Sequence, residues 1–282
     1  MALTSEAFTM DTPTRRNFLK DLGFGAAAVS VPGAQGKQMP GRPPSGGSTP
    51  ETANAAAIMA IAAHPGDAFF AMGAPVALQA HLGGQGVFLS LTLGEKGSAV
   101  IPPERYGILQ RQASERAAEM LGATTAFLTY PDGEIPVNDE VKFAVCDLIR
   151  KYKPDLVVTH WRGSWHKDHR ACYEIVNDAI FYAALPAIVR SQPAHTVRKL
   201  FFNDNWEDAS GFEVDTYLDI SPVFAAWQSA CAVFPMWRGE NGFRYNDYYH
   251  SLAVARGCVA GFASAVALMS PPEQLTGRVH AL

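Results

Sequence analysis

Residues 58–72 read Ile58-Met59-Ala60-Ile61-Ala62-Ala63-His64-Pro65-Gly66-Asp67-Ala68-Phe69-Phe70-Ala71-Met72. An unbroken apolar run of strand length stops at His64, a Pro-Gly pair turns the chain, and Asp67 opens a segment of helical spacing. This is the pattern of a buried strand, a tight turn and a helix start. In an open α/β sheet the loops leaving the carboxyl ends of the strands form the ligand crevice, so His64 and Asp67 are both expected to face it. An imidazole and a carboxylate on one such loop can share a divalent metal. Asp is also a favoured N-cap and Pro-Gly is ordinary turn chemistry, so this stretch taken alone favours a structural reading.

A second cluster shifts that balance. Trp165-His166-Lys167-Asp168-His169 again follows a buried apolar run, Asp155-Leu156-Val157-Val158-Thr159-His160. Histidines flanking an aspartate at a second strand-to-helix junction point to a site. A helix beginning near Asp168 aims His169 at the crevice, with Asp168 adjacent to orient an imidazole.

Outward from these junctions, strand-length apolar runs alternate with longer helical ones, the signature of βαβ units and a largely parallel sheet. Strands are expected at 57–63, 87–93, 125–130, 155–160 and 199–203, with a further one at 214–220. Helices are expected near 67–82, 108–121, 139–152, 169–184, 222–233 and 247–268. No composition break divides 55–282, which reads as one α/β domain. Two other loops carry polar residues that can line the crevice: Glu95 in Thr92-Leu93-Gly94-Glu95-Lys96-Gly97, and Asp132 in Pro131-Asp132-Gly133-Glu134. The first also reads as a surface loop and the second as a β-turn.

The 282 residues allow a sizeable core, and 48% hydrophobic content is that of a globular protein. A net charge of −4 with scattered Lys and Arg gives no general pull toward nucleic acid or anionic lipid. Residues 1–34 read as a twin-arginine export signal: Arg15-Arg16 precede a weakly apolar Gly- and Ala-rich run from Leu22 to Val31. That run is too short for an ordinary transmembrane helix. Residues 35–54, rich in Gly, Pro, Ser and Thr, read as a disordered linker. The expected location is periplasmic or extracellular. Cys146, Cys172, Cys231 and Cys258 lack CxxC spacing and are read as buried thiols by default, with one late disulfide as the alternative.

His64, Asp67 and His169 make a three-ligand N/O set with a position left for water, the arrangement of catalytic zinc. Such a metal activates water at neutral pH and polarises a carbonyl, so hydrolysis of an amide or ester is the natural reaction. His166, close by but not needed as a ligand, suits general acid work or oxyanion stabilisation.

Ala63-His64-Pro65-Gly66-Asp67 resembles the Ala-His-Pro-Asp-Asp-Glu signature of the PIG-L/LmbE family of metal-dependent N-deacetylases, and His166-Lys167-Asp168-His169 resembles its His-Pro-Asp-His signature. The Thr92–Gly97 loop, the Arg111–Glu115 pair, Tyr130-Pro131-Asp132-Gly133 and Lys153–His160 extend the likeness along most of 57–265. The resemblance implies a Rossmann-like three-layer sandwich and Zn2+, or another divalent metal, held by His64, Asp67 and His169. It also implies His166 acting beside the metal on an N-acetylated amino sugar or its conjugate. The family's general-base aspartate is Gly66 here, its following glutamate is Ala68, and Ala263-Ser264 stands where Ala-Glu is usual. Asp168, His166 or Glu95 are the carboxylates and imidazole available as substitutes. The leading expectation is an exported zinc-dependent deacetylase. The alternatives are a non-catalytic metal- or sugar-binding protein that discarded the base, and a metal-dependent esterase with a better leaving group.

Overall fold

The computed structural model describes residues 55–272. Five strands, β1 (Ile58–Ala62), β2 (Gly86–Thr92), β3 (Thr124–Tyr130), β4 (Leu156–Thr159) and β5 (Lys199–Asn203), pair in parallel. With β6 (Thr216–Asp219) and β7 (Ala265–Met269) they form a seven-stranded sheet of order β3-β2-β1-β4-β5-β7-β6, in which β7 runs antiparallel to both neighbours. The proposed export signal and linker lie outside the described residues.

The apolar run of β1 is continuous because the strand is buried on both faces. Ile58, Ala60 and Ala62 pack into one apolar cluster, and Met59, Ile61 and Ala63 into another. The first cluster is closed by α1 (Pro65–Phe70), α2 (Gly73–His81), α3 (Pro103–Met120), α6 (Phe224–Cys231) and α7 (Tyr245–Ala260). The second is closed by α4 (Asp139–Tyr152) and α5 (Lys167–Ala184). This is the expected three-layer α/β sandwich.

The chain runs outward from β1 to β2 and β3, then crosses back to place β4 on the other side of β1. Strand order therefore reverses between β1 and β4, and a crevice opens at their carboxyl ends. His64 follows β1 there, and His160 follows β4. Helix α5 starts from the same edge, with His166 as its N-cap; its Nδ1 accepts from the Asp168 amide at 3.2 Å. The other end of α5 is pinned by Arg150, fully buried, whose guanidinium donates to the carbonyls of Tyr182, Ala183, Leu185, Ile188 and Gln192. A buried charge is tolerable only with such complete pairing.

The expected helix at 247–268 is two elements. Gly261 takes a left-handed φ of 79° and ends α7, after which Ala265-Val266-Ala267-Leu268-Met269 forms β7. An apolar strand following a short turn was absorbed into the helical pattern. The expected helix at 67–82 is likewise broken, at Ala71-Met72, into α1 and α2. All four cysteines are free, and Cys258 is exposed rather than buried. Among the described residues no helix is long and apolar enough to cross a membrane.

Candidate metal centre

Three side chains from two junctions converge in a cleft of about 150 Å³. Asp67 Oδ2 lies 3.0 Å from His64 Nδ1 and 3.2 Å from His169 Nε2. Around a tetrahedral ion with bonds of roughly 2.0–2.1 Å, neighbouring ligand atoms stand about 3.3 Å apart, so the spacing fits. His169 Nε2 is buried and, despite its nearness to Asp67, makes no hydrogen bond of acceptable geometry. An orphaned imidazole nitrogen beside a carboxylate fits a metal ligand better than a hydrogen-bonded pair.

The groups behind these donors fix them. Asp208, fully buried, accepts from His169 Nδ1 and from His160 Nδ1, each at 2.8 Å. His160 Nε2 in turn accepts from the Ala63 amide at 3.2 Å, which sets its tautomer. With its Nδ1 donating, His169 presents its Nε2 lone pair to the cleft, the carboxylate–histidine arrangement that orients a metal ligand. The far nitrogen of His64 faces Asp132 Oδ1 at 3.1 Å and Asp168 Oδ2 at 3.5 Å. Those carboxylates are themselves tied, Asp132 Oδ2 to the Lys96 amide at 3.0 Å and Asp168 Oδ2 to the Gly133 amide at 2.7 Å.

The electrostatics suit a cation. Burial disfavours a charged His169, yet Asp67 and Asp208 outweigh it and raise the imidazole to about 10. Burial also opposes charge on His64, but contacts with Asp132, Asp168 and Asp67 push it well above its usual value. Burial acts to raise the Asp67 carboxyl, and His169 and His64 nevertheless hold it well below the carboxylate range. His166 behaves oppositely: burial and then the charges of His169 and His64 lower it to about 4. It is neutral at pH 7, and because Nδ1 accepts from Asp168, its Nε2 carries the proton and is a donor.

The sequence-expected residues are thus all placed around one centre. His64, Asp67, Asp132, His166 and His169 line the cleft. Asp168 is fully buried behind His64, and Glu95 stands a layer back, its Oε1 accepting from the Asp132 amide at 2.8 Å. Three contributors escaped the sequence reading as site residues: His160, Glu207 and Asp208. Glu207 and Asp208 sit in a single 3-10 turn, Trp206–Asp208, after β5. The available signal was position, since β5 is the next parallel strand and its polar exit, Asp204-Asn205-Trp206-Glu207-Asp208, opens on the same edge. Glu207 Oε2 is 3.7 Å from His169 Nε2 and lines the cleft. Burial, together with the Asp67 charge, raises its carboxyl to about 7.

At Gly66 the wall changes character. A Cβ there would lie 3.3 Å from Met236 Sδ and 3.4 Å from Phe70 Cε2. The thioether of Met236 covers the position and takes contacts from Gln110 Nε2 at 3.5 Å and Tyr106 Oη at 3.9 Å.

Residues 59–180 match the PIG-L family, described as GlcNAc-PI de-N-acetylase. Over these residues the chain is similar to PIG-L proteins. PIG-L members act as metal-dependent deacetylases on N-acetylated sugars, and hydratases also occur among the relatives. One relative, 4-oxalmesaconate hydratase of Pseudomonas putida KT2440, is 23% identical over 72% of this chain and 80% of its own length. Diacetylchitobiose deacetylase of Thermococcus kodakarensis is 28% identical over 48% of this chain and 52% of its own. The solved 4-carboxy-2-hydroxymuconate hydratase of P. putida KT2440 superposes on this chain with a TM-score of 0.71 at 20% identity, covering 79% of this chain and 99% of that one. The fold is that of this solved structure, and His64, Asp67 and His169 fall within residues 59–180.

Proposed function

We propose that this protein is an exported metal-dependent amidohydrolase that removes the acetyl group from an N-acetylated amino sugar, with Zn2+ held by His64, Asp67 and His169. The observation that carries the reading is the convergence of those three donors on one cleft, with Asp208 fixing the tautomer of His169. A divalent metal in such a set supplies carbonyl polarisation and water activation. Among the described lining residues none is Lys or Arg, which favours a neutral substrate over a carboxylated one.

The chain's own residues divide the remaining work. Neither Glu95, which stands behind Asp132, nor the fully buried Asp168 lines the cleft, so neither is placed as the base that Gly66 does not provide. Glu207 is the remaining cleft carboxylate beside His169, placed to take the proton from the attacking water and return it to the departing amine as the C–N bond breaks. The Nε2–H of neutral His166 donates to the developing oxyanion. Asp208 and Asp132 hold the two imidazoles in place. Arg15-Arg16 and the apolar run from Leu22 to Val31 support export by the twin-arginine route.

The test is acetate release from N-acetylglucosamine and its oligomers by the metal-loaded full chain, before and after chelation. Release that chelation abolishes and added zinc restores is the expected result. Addition of water to a carbon–carbon double bond is the second reading, favoured by the 80% coverage of the P. putida hydratase. Loss of the absorbance of a conjugated unsaturated acid, without acetate release from any amide, would replace the first reading by the second. Cleavage of acetyl esters alone would point to an esterase, and oligosaccharide binding without any turnover to a binding protein.

A further inference from the structure

Beside the metal cleft lies a second, open cavity of about 340 Å³ whose walls include Ser164, Trp165, Trp206, Glu207 and Ser210. Glu207 lines both cavities, so the two are adjacent. Trp165 leaves 63% of its surface in water, an unusual state for the largest apolar side chain. Its ring touches Trp206 at 5.7 Å between centroids and His166 at 5.7 Å. Trp206 is stacked on Phe243 at 4.6 Å with an interplanar angle of 11°, and Phe243 meets Tyr245, which lines the metal cleft, at 4.7 Å. An aromatic wall thus runs from the metal cleft outward.

That wall is rigidly mounted. The Trp165 amide donates to the Glu207 carbonyl at 3.1 Å, and the Trp165 carbonyl accepts from Arg170 Nη1 at 2.8 Å. The Ser210 amide donates to the Gly163 carbonyl at 3.1 Å, and a Cβ at Gly163 would lie 1.7 Å from the Ser210 carbonyl oxygen. Only glycine permits that approach, so the Trp165 loop and the Glu207 turn move as one piece. The interior aromatics Trp227, Trp237 and Tyr249 are buried and take no part.

An exposed indole at a fixed angle, flanked by hydroxyls and a carboxylate, matches a pyranose, whose C–H face is apolar and whose rim is a ring of hydroxyls. We propose that this cavity is a saccharide subsite that holds the sugar next to the N-acetylated residue, making the substrate an oligosaccharide rather than a monosaccharide. The inference rests on the deacetylase reading for its catalytic consequence, and on the Trp165 cavity alone for binding.

The experiment compares N-acetylglucosamine with its β-1,4-linked disaccharide and trisaccharide, using the metal-loaded full chain and its Trp165→Ala and Trp165→Phe variants. Wild type is expected to favour the disaccharide by 10-fold or more in kcat/KM. Trp165→Ala should collapse that preference to near unity by raising KM for the oligomers far more than for the monosaccharide, with metal content unchanged, and Trp165→Phe should restore most of it. No oligomer preference in wild type, or an equal loss on all substrates in Trp165→Ala, would overturn the subsite. A stronger preference for an apolar aglycone than for a second sugar would overturn its saccharide occupant. Where no acetate is released, calorimetric titration with the trisaccharide separates the two claims. Binding weakened 10-fold or more by Trp165→Ala sustains the subsite while the deacetylase reading fails, and absence of binding removes both.

Discussion

Behind His64, Asp67 and His169 stands a second layer of carboxylates and backbone amides, whereas the wall where Gly66 meets Met236 presents a thioether and the unpaired Oε1 of Gln110. On the first wall both imidazoles face carboxylates that set their tautomer or charge. On the second, room that a carboxylate would need is filled by an apolar side chain. The difference teaches that the proposed metal-holding half and the proposed proton-handling half of this cleft lie on separate walls. In the proposed reading the first keeps its supporting carboxylates, and the second draws its base, Glu207, from the turn after β5.

The largest effect that would sharpen this contrast comes from His169→Ala. It is expected to lower metal content to well below one equivalent and the rate by about 10³-fold or more, read by elemental analysis and acetate release. Unchanged metal content would break the ligand assignment. Next, Glu207→Gln should lower kcat by about 10²–10³-fold while leaving metal content intact, since a base and not a ligand is lost. Loss of metal in this variant would instead make Glu207 a ligand. Asp208→Asn should weaken metal affinity by roughly 10- to 100-fold, measured by competition with a chromophoric chelator.

Acid sharpens the same contrast. His169 is raised to about 10 and His64 is raised as well, so at neutral pH metal must displace their protons. Protons therefore compete with metal, and apparent affinity should rise about tenfold or more per pH unit between roughly pH 6 and 8. A flat profile would mean that the imidazoles are not the ligands.

The smallest effect concerns the wall at Gly66. Gly66→Asp alone crowds Met236 and Phe70 and should cost about 1–3 kcal/mol of stability by thermal unfolding. Gly66→Asp combined with Met236→Ala should recover part of that stability and raise kcat by about tenfold. Restoring the aspartate without making room for it is thus a poor test of a lost base.

Much of this was legible in the chain itself. The β1 and β4 junctions announced themselves because an apolar run buried on both faces ends in a polar turn, and His64, Asp67 and His169 could be paired from that pattern. Asp208 and Glu207 could not, because a 3-10 turn has no periodicity and their importance depends on β5 lying beside β4. Met236 was equally silent. It reaches Gly66 from a short turn, Pro235–Arg238, 170 positions down the chain by the numbering of the two residues (236 − 66 = 170). Strand β7 was hidden for a local reason, since Gly261 is the only break between a helical pattern and an apolar pentapeptide.

The measurement that bears most directly on the central claim is the metal stoichiometry and X-ray absorption spectrum of the full chain after loading with zinc. One ion per chain, with two imidazole nitrogens and carboxylate oxygen in its shell and lost in His169→Ala, is the predicted result. A chain that takes up no zinc, or whose zinc shell is unaltered in His169→Ala, would contradict it.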